Sequence, residues 1–285
     1  MLAPSGRLMG DLTTLRLAED HFQVGGSGNL QTWHMRWFAE HLVQDGVQVC
    51  NVSDQYGGLA LIGPRSRELL ARIAQTDVSN AALPFMAVDS MDLAFAPAVV
   101  ARLSVTGELG YEIYVPAVHL AALLGAVLDA ANGLDARHIG MYALNSLRLE
   151  KSFGIWSREY SRDYTPRMSG LDRFVAYDKP DFIGRQAALR DRVSLPDKSL
   201  VTLAVDSPEA DAVGYEPIWL RDRIVGFITS GGYGHCVGKS LAMGYLHSAV
   251  AGDAAALSVS ILGEQRACKI LTQPAIDPTG ARMRA

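Results

Sequence analysis

The strongest constraint on the fold is a change in sequence texture near residue 195. Beyond it, short runs of β-forming residues are separated by Gly, Asp and Ser about every 8–12 residues, as in a small barrel or sandwich. The runs cover 200–205, 216–220, 224–229, 241–246 and 256–262. We therefore predict two domains, with an α+β region over 1–195 and a small β-barrel over 196–285.

In the first region, pairs of predicted strands alternate with predicted helices. A hairpin is predicted over 8–25 and β pairs over 47–53 with 59–62 and 99–105 with 111–115. Apolar residues at helical spacing predict helices over 30–43, 64–73 and 116–131. Because paired strands alternate with helices and single strands do not, the pattern indicates an α+β fold rather than repeated βαβ units.

Composition and charge exclude several classes of protein. A net charge of -4 argues against a general binder of nucleic acid or acidic membranes. Three cysteines without a CxxC motif encode neither a zinc knuckle nor a disulfide framework, and are typical of reduced thiols in the cytoplasm. No apolar run approaches the roughly 20 residues of a membrane span. The seven histidines show no metal-binding spacing, so we expect no metal.

Two glycine-rich segments imitate nucleotide-binding motifs. Residues 234–240 resemble a phosphate loop, but the required first glycine, five residues before Gly238, is Tyr233. We interpret this segment as a barrel turn. Gly26 and Gly28 lack the third glycine of a dinucleotide fingerprint and precede no βαβ unit. We therefore expect no FAD site within this chain.

Four segments taken together resemble the glycine-cleavage T-protein (aminomethyltransferase) family. They are Gly-Arg-Leu-Met-Gly-Asp-Leu at 6–12, Thr-Gly-Glu-Leu-Gly-Tyr-Glu-Ile-Tyr at 106–114, Ser-Leu-Arg-Leu-Glu-Lys at 146–151 and Asp-Phe-Ile-Gly-Arg at 181–185. The likeness covers nearly the whole chain and is greatest to the C-terminal folate-binding half of dimethylglycine oxidase and sarcosine dehydrogenase. It implies a cloverleaf of α+β folate-binding parts, including a ferredoxin-like one, with a C-terminal β-barrel around a funnel for tetrahydrofolate.

The resemblance also implies roles for particular residues. Asp11 matches the family's catalytic aspartate, which assists the folate N10 amine, and Glu112 matches the glutamate that binds the pterin edge. Gly25 matches a glycine whose backbone approaches folate. We assign Tyr114, on the same strand face as Glu112, and Trp156 to the same binding group. Without the resemblance, Asp11 would be a turn aspartate, Glu112 a solvent-facing strand residue and Trp156 a core residue.

Arg148, in the segment 146–151, is predicted to have a structural role. Arg148 lies two residues from Glu150 on a predicted helix, so the two side chains do not face each other. We expect Arg148 to pair with a carboxylate elsewhere in the chain.

These assignments predict tetrahydrofolate-dependent one-carbon transfer. The methylene unit of an N-methylglycine-derived donor would be captured to give 5,10-methylenetetrahydrofolate. The alternative is a silent folate-binding or regulatory subunit, or a fragment, of an FAD-dependent sarcosine or dimethylglycine dehydrogenase. It is motivated by departures from the family pattern at Val105, Leu144 and Met168. A third possibility, the family's RNA-modification branch, fits poorly with the acidic balance.

The start of the sequence carries a further expectation. The chain begins almost at the family's catalytic aspartate, so it would lack a leading segment of the first domain. Such a domain would expose a sheet edge and apolar surface. We therefore expect a homo-oligomer, or an FAD amine oxidase partner that covers this surface.

Overall fold

The computed structural model describes residues 1–43, 45–250 and 257–285. These residues form two compact units. The sheet unit comprises residues 13–139 and 279–285, and the barrel unit comprises residues 1–12 and 140–278. The domain boundary predicted near residue 195 stays a prediction. No helix in the described ranges is long and apolar enough to cross a membrane.

The sheet unit begins with a small hairpin and a helix. Strands β1 (Thr13–Arg16) and β2 (Phe22–Gly25) pair antiparallel, which confirms the predicted hairpin in a shorter form. Helix α1 (Gln31–His41) follows and confirms the predicted helix over 30–43.

A four-stranded antiparallel sheet forms the body of this unit. Its strand order is β3-β6-β5-β4, with β3 (Tyr56–Ile62), β4 (Val88–Leu93), β5 (Ala96–Ala101) and β6 (Gly110–Pro116). The predicted helices are present as α2 (Ser66–Ile73) and α3 (Leu120–Ala130). Buried side chains from both helices and from alternate residues of β6 form one apolar core: among them are Leu70, Ile73, Leu123, Tyr111, Ile113 and Val115.

The sequence misplaced some of the strands in this unit. Residues 47–52 form neither helix nor strand, and most of their side chains are exposed. Their valines gave a strand-like pattern, but strand propensity is realised only where a pleated surface packs against neighbours. Gly57 and Gly58, which lie between the two runs predicted to pair, belong to β3, and β3 pairs with β6 instead. Strand β4 was missed because Asp89, Ser90 and Asp92 interrupt its apolar pattern.

The barrel unit confirms the predicted small β-barrel. Six strands close in the order β10-β7-β12-β11-β8-β9. They are β7 (Lys198–Val205), β8 (Pro217–Leu220), β9 (Arg223–Gly234), β10 (Lys239–His247), β11 (Leu257–Ile261) and β12 (Glu264–Leu271). All five predicted runs coincide with strands, although Ala256, the first residue of the fifth run, lies outside the described residues. The charged β12 was missed.

Two helices complete the barrel unit. Helix α4 (Met141–Glu150) carries the predicted segment 146–151, and α5 (Arg185–Val193) follows the predicted segment 181–185. Leu149 of α4 packs with Leu241 and Met243 of β10 in a small apolar cluster. This packing holds the polar residues of α4 against the barrel.

Candidate functional site

Glu112 and Tyr114 share one face of β6, as the alternation of strand residues predicts. Tyr111 and Ile113 are buried in the apolar core, whereas Glu112 and Tyr114 are half-buried on the opposite face. Directly across from Glu112 stand two small residues, Ala60 of β3 and Ala101 of β5. The carboxylate therefore has a small side chain beside it on each neighbouring strand, Ala60 exposed to solvent and Ala101 buried.

A hydrogen bond fixes the orientation of Glu112. The Tyr114 hydroxyl donates to Glu112 Oε2 at 2.5 Å. Burial, together with this hydrogen bond and the charge of Glu112, raises the pKa of Tyr114 well above its ordinary value. Tyr114 thus remains a neutral donor at physiological pH. Within the described part of the chain, Glu112 Oε1 accepts no hydrogen bond.

Gly25 lies close to this pair. A Cβ atom added at Gly25 would stand 4.0 Å from the Tyr114 hydroxyl oxygen, and one added at Gly58 would stand 3.8 Å from the Tyr114 ring. Both distances are ordinary contacts, so packing alone does not require glycine at either position. Their bare backbones instead keep the space beside Tyr114 open. The sheet unit therefore brings together three predicted binding residues, Gly25, Glu112 and Tyr114.

The barrel unit holds the other two predicted residues, Asp11 and Trp156. Although Asp11 is exposed, the protein atoms around it desolvate the carboxylate and raise its pKa, an effect only partly offset by the N-terminal ammonium. Burial, followed by the charge of Asp11, raises the pKa of Tyr160 to about 12. Asp11 is thus an accessible carboxylate with enhanced proton affinity, and Tyr160 lies within its electrostatic range.

Trp156 is half-buried beside Tyr160. The backbones of Trp156 and Tyr160 form an isolated parallel bridge. Gly154 allows this arrangement, because a Cβ there would lie 2.6 Å from Cζ of the Tyr160 ring. Trp156 is therefore tied to Tyr160 through the backbone, and it is neither a fully buried core residue nor an exposed one.

Arg148 is structural, as predicted. Its guanidinium pairs with Glu159 at 2.7 Å, and both side chains are almost completely buried. Glu159 also accepts hydrogen bonds from the Thr229 and Ser230 hydroxyls and from the Ile155 amide. The sequence could not identify Glu159 as the partner, because it lies in an irregular loop with no periodic pattern.

The glycine-rich turn at 234–238 is the β9–β10 barrel turn, which confirms that interpretation. Its amide groups are already occupied by the chain's own carboxylate. Glu150 Oε1 accepts hydrogen bonds from the amides of Cys236 at 2.6 Å and Val237 at 3.2 Å. A phosphate would have to displace this buried glutamate.

No group of three His, Cys, Asp or Glu residues in the described ranges could hold a metal ion. None of the three cysteines, all within the described ranges, forms a disulfide; Cys50 and Cys236 are exposed and Cys268 is buried.

Comparison with known protein families adds a direct test of the resemblance. The model of the GCVT N-terminal domain matches residues 1–179, more than half of the chain. The chain belongs to the glycine-cleavage T-protein family. The model of the glycine cleavage T-protein C-terminal barrel domain matches residues 198–277. The resemblance read from the sequence is therefore confirmed.

Relatives of two kinds extend this comparison. The chain is 33% identical to human mitochondrial dimethylglycine dehydrogenase over 99% of its own length, but it spans only 33% of that protein. It is 28% identical to an aminomethyltransferase of Listeria monocytogenes, covering 96% of this chain and 74% of that one. The chain thus corresponds to about a third of the dehydrogenase and to most of the free-standing transferase.

A solved structure confirms the predicted fold class. Aminomethyltransferase T from Bartonella henselae superposes with a TM-score of 0.84 and covers 98% of this chain and 75% of its own. At 23% sequence identity this likeness speaks for the fold alone.

Proposed function

We propose that this chain binds tetrahydrofolate and takes part in one-carbon transfer from an N-methylglycine-derived donor. Family membership supports an aminomethyltransferase, and members of this family bind tetrahydrofolate. The observation that carries the proposal is the Glu112–Tyr114 pair beside the bare backbone of Gly25. When bound, tetrahydrofolate would supply the amine that takes up the one-carbon unit, with 5,10-methylenetetrahydrofolate as the product.

The residues of the sheet unit suit a reduced pterin. The pterin edge presents two adjacent N–H donors, and a carboxylate can accept both as a fork. Glu112 offers a half-buried carboxylate with one oxygen held by Tyr114, and the side chains beside it on the neighbouring strands, Ala60 and Ala101, are small. Glu112 would orient the ring, Tyr114 would hold Glu112, and Gly25 would admit the ligand close to the backbone.

Asp11 is the residue we propose for proton handling. Desolvation raises the pKa of its carboxyl, so Asp11 accepts a proton more readily than an ordinary aspartate. Its negative charge would also stabilise a cationic one-carbon donor nearby. Trp156, which forms a backbone bridge with Tyr160, is the second residue of the barrel unit that we propose to contact tetrahydrofolate.

The proposal also covers the source of the one-carbon donor and the partner protein. Because the chain matches about a third of dimethylglycine dehydrogenase, we propose that an FAD amine oxidase generates the donor. The setting would be cytoplasmic. In the competing proposal the chain is a catalytically silent subunit of such an oxidase, with a folate-binding or regulatory role. Val105, Leu144 and Met168 favour this alternative, because the family carries other residues at these three positions.

Titration of the purified chain with tetrahydrofolate tests the binding role. We expect saturable binding that Glu112→Ala weakens by about tenfold or more, since a charge-assisted fork is lost. Tyr114→Phe should weaken binding less, because the carboxylate is kept but is no longer held. Glu108→Ala, on the loop before β6, is the matched control and should leave the affinity unchanged. Equal affinity for the wild type and Glu112→Ala would refute the assigned role.

A further inference from the structure

Two adjoining cavities lie on the barrel unit, outside the residues discussed so far. Their volumes are about 310 Å³ and 420 Å³, and Ile224, Val225 and His247 line both. Neither is lined by any residue proposed to bind folate. A function of these cavities would therefore be additional to the proposed one.

The strand register shows how the first cavity is built. Leu246 belongs to the barrel core, so its neighbours Tyr245 and His247 face outward. Phe227 pairs directly with Tyr245, and Lys198 pairs directly with His247. Phe227 is therefore the aromatic residue of this wall, with Lys198 and His247 beside it, whereas the Tyr245 ring, 6.2 Å from the Phe227 ring, is completely buried.

Local irregularities shape this wall. Ile218 pairs with Gly226 and Trp219 pairs with Ile224, which leaves Val225 as the extra residue of a β-bulge. Bulges often redirect side chains beside functional sites. A Cβ added at Gly226 would lie 2.0 Å from the Tyr245 carbonyl oxygen, so only glycine fits there.

Three charged residues line the cavities, two cations and one carboxylate. Lys198 and His247 line the first cavity, and Arg223 lines the second together with the acidic Asp197. Lys198 Nζ stands 5.7 Å from the centre of the Phe227 ring. Within the described ranges, neither Lys198 nor Arg223 forms an ion pair with a carboxylate of the chain. Two cations without a carboxylate partner beside an aromatic wall suit an organic anion.

The rim of the first cavity includes a strained aromatic residue. Tyr215 has φ +74° and is 86% exposed. A bulky side chain in the left-handed region is unusual and persists only when the surroundings enforce it. The Tyr215 amide donates to the Ile228 carbonyl at 2.7 Å, which holds the backbone in place. The ring is thus kept at the cavity rim without being buried by the chain itself.

From this arrangement we infer that the barrel binds a small aromatic anion. The ring of the ligand lies against Phe227 and Tyr215, and its carboxylate or phosphate lies between Lys198 and His247. Arg223 attracts the same charge from the second cavity. The ligand class is an aryl carboxylate or aryl phosphate of a size that fills about 310 Å³.

Ligand-observed NMR and calorimetry with phenyl phosphate and benzoate test this inference on the full chain, with benzyl alcohol as the neutral analogue. We expect saturable one-to-one binding of at least one anion and much weaker binding of the alcohol. Lys198→Gln should weaken binding about fivefold or more, as expected when one charged contact is lost. Neither saturating tetrahydrofolate nor the Glu112→Ala substitution should change the affinity for the anion. A failure of this inference can therefore be told apart from a failure of the proposed folate function.

Matched variants complete the test. Lys239→Gln removes an exposed lysine at the opposite end of β10 and should leave anion binding unchanged. Tyr215→Gly removes the ring and also relieves the backbone strain, so it should weaken binding while keeping the fold at least as stable. Absence of binding by either anion up to the solubility limit would overturn the inference, as would equal binding by the Lys198→Gln and Lys239→Gln chains.

Discussion

At the scale of single residues, the account depends on two carboxylates in different surroundings. Glu112 is held by a phenol and faces small residues, which suits orientation of a ligand. Asp11 is exposed but desolvated, which suits proton transfer. Neither environment is visible in the sequence, where both residues look like ordinary acidic residues near turns or on a strand. Only the family motifs distinguished them.

The raised pKa of Asp11 predicts a stability cost at neutral pH. The folded state disfavours the ionised carboxyl, so stability is greatest below the unfolded-state pKa and falls as pH rises through the folded-state pKa. Asp11→Asn should therefore stabilise the chain at pH 7, by less than about 1 kcal/mol because the group is exposed. Urea unfolding at pH 7 and near pH 4 measures this. If Asp11→Asn raised the free energy of unfolding by the same amount near pH 4 as at pH 7, the desolvation argument would be contradicted.

At the scale of elements, regular patterns were predictable and pairing partners were not. The five barrel runs, the hairpin and the three predicted helices of the sheet unit follow from periodicity and from turn residues. Strands β4 and β12 were not predicted, because charged residues occupy their solvent-exposed faces. The predicted strand at 47–53 failed because local propensity cannot show whether a neighbouring strand exists.

The buried network around Glu159 links elements that are distant in sequence. Arg148 comes from α4, Glu159 from a loop and Thr229 from β9. Removing one partner leaves an uncompensated buried charge, so Arg148→Met should destabilise the chain by about 3–5 kcal/mol. Chemical unfolding of Arg148→Met and of Arg148→Met with Glu159→Gln tests this. The double variant should recover part of the loss; equal loss in both would show that the charge on Glu159 is not the cause.

At the scale of the whole molecule, the hairpin of the sheet unit exposes apolar side chains. Phe22 is 50% exposed and Val24 is 46% exposed, and both lie on the same face of β2. A two-stranded hairpin with such a face is only marginally stable on its own. We therefore expect the purified chain to self-associate with rising concentration.

Light scattering coupled to size-exclusion chromatography measures this association. The double variant Phe22→Ser with Val24→Ser should shift the chain toward the monomer, whereas Val118→Ser, an exposed residue before α3, should not. A wild-type chain that stays monomeric over a hundredfold range of concentration would contradict the expectation.

The central claim is folate-dependent one-carbon transfer, and formation of 5,10-methylenetetrahydrofolate tests it most directly. The assay supplies tetrahydrofolate and dimethylglycine together with an FAD amine oxidase, and it compares the wild-type chain with Asp11→Asn. We expect product well above the oxidase alone, and a loss of about a hundredfold in Asp11→Asn with tetrahydrofolate still bound. Product formation that is the same with and without this chain, while the chain binds tetrahydrofolate, would contradict transfer and favour the silent subunit.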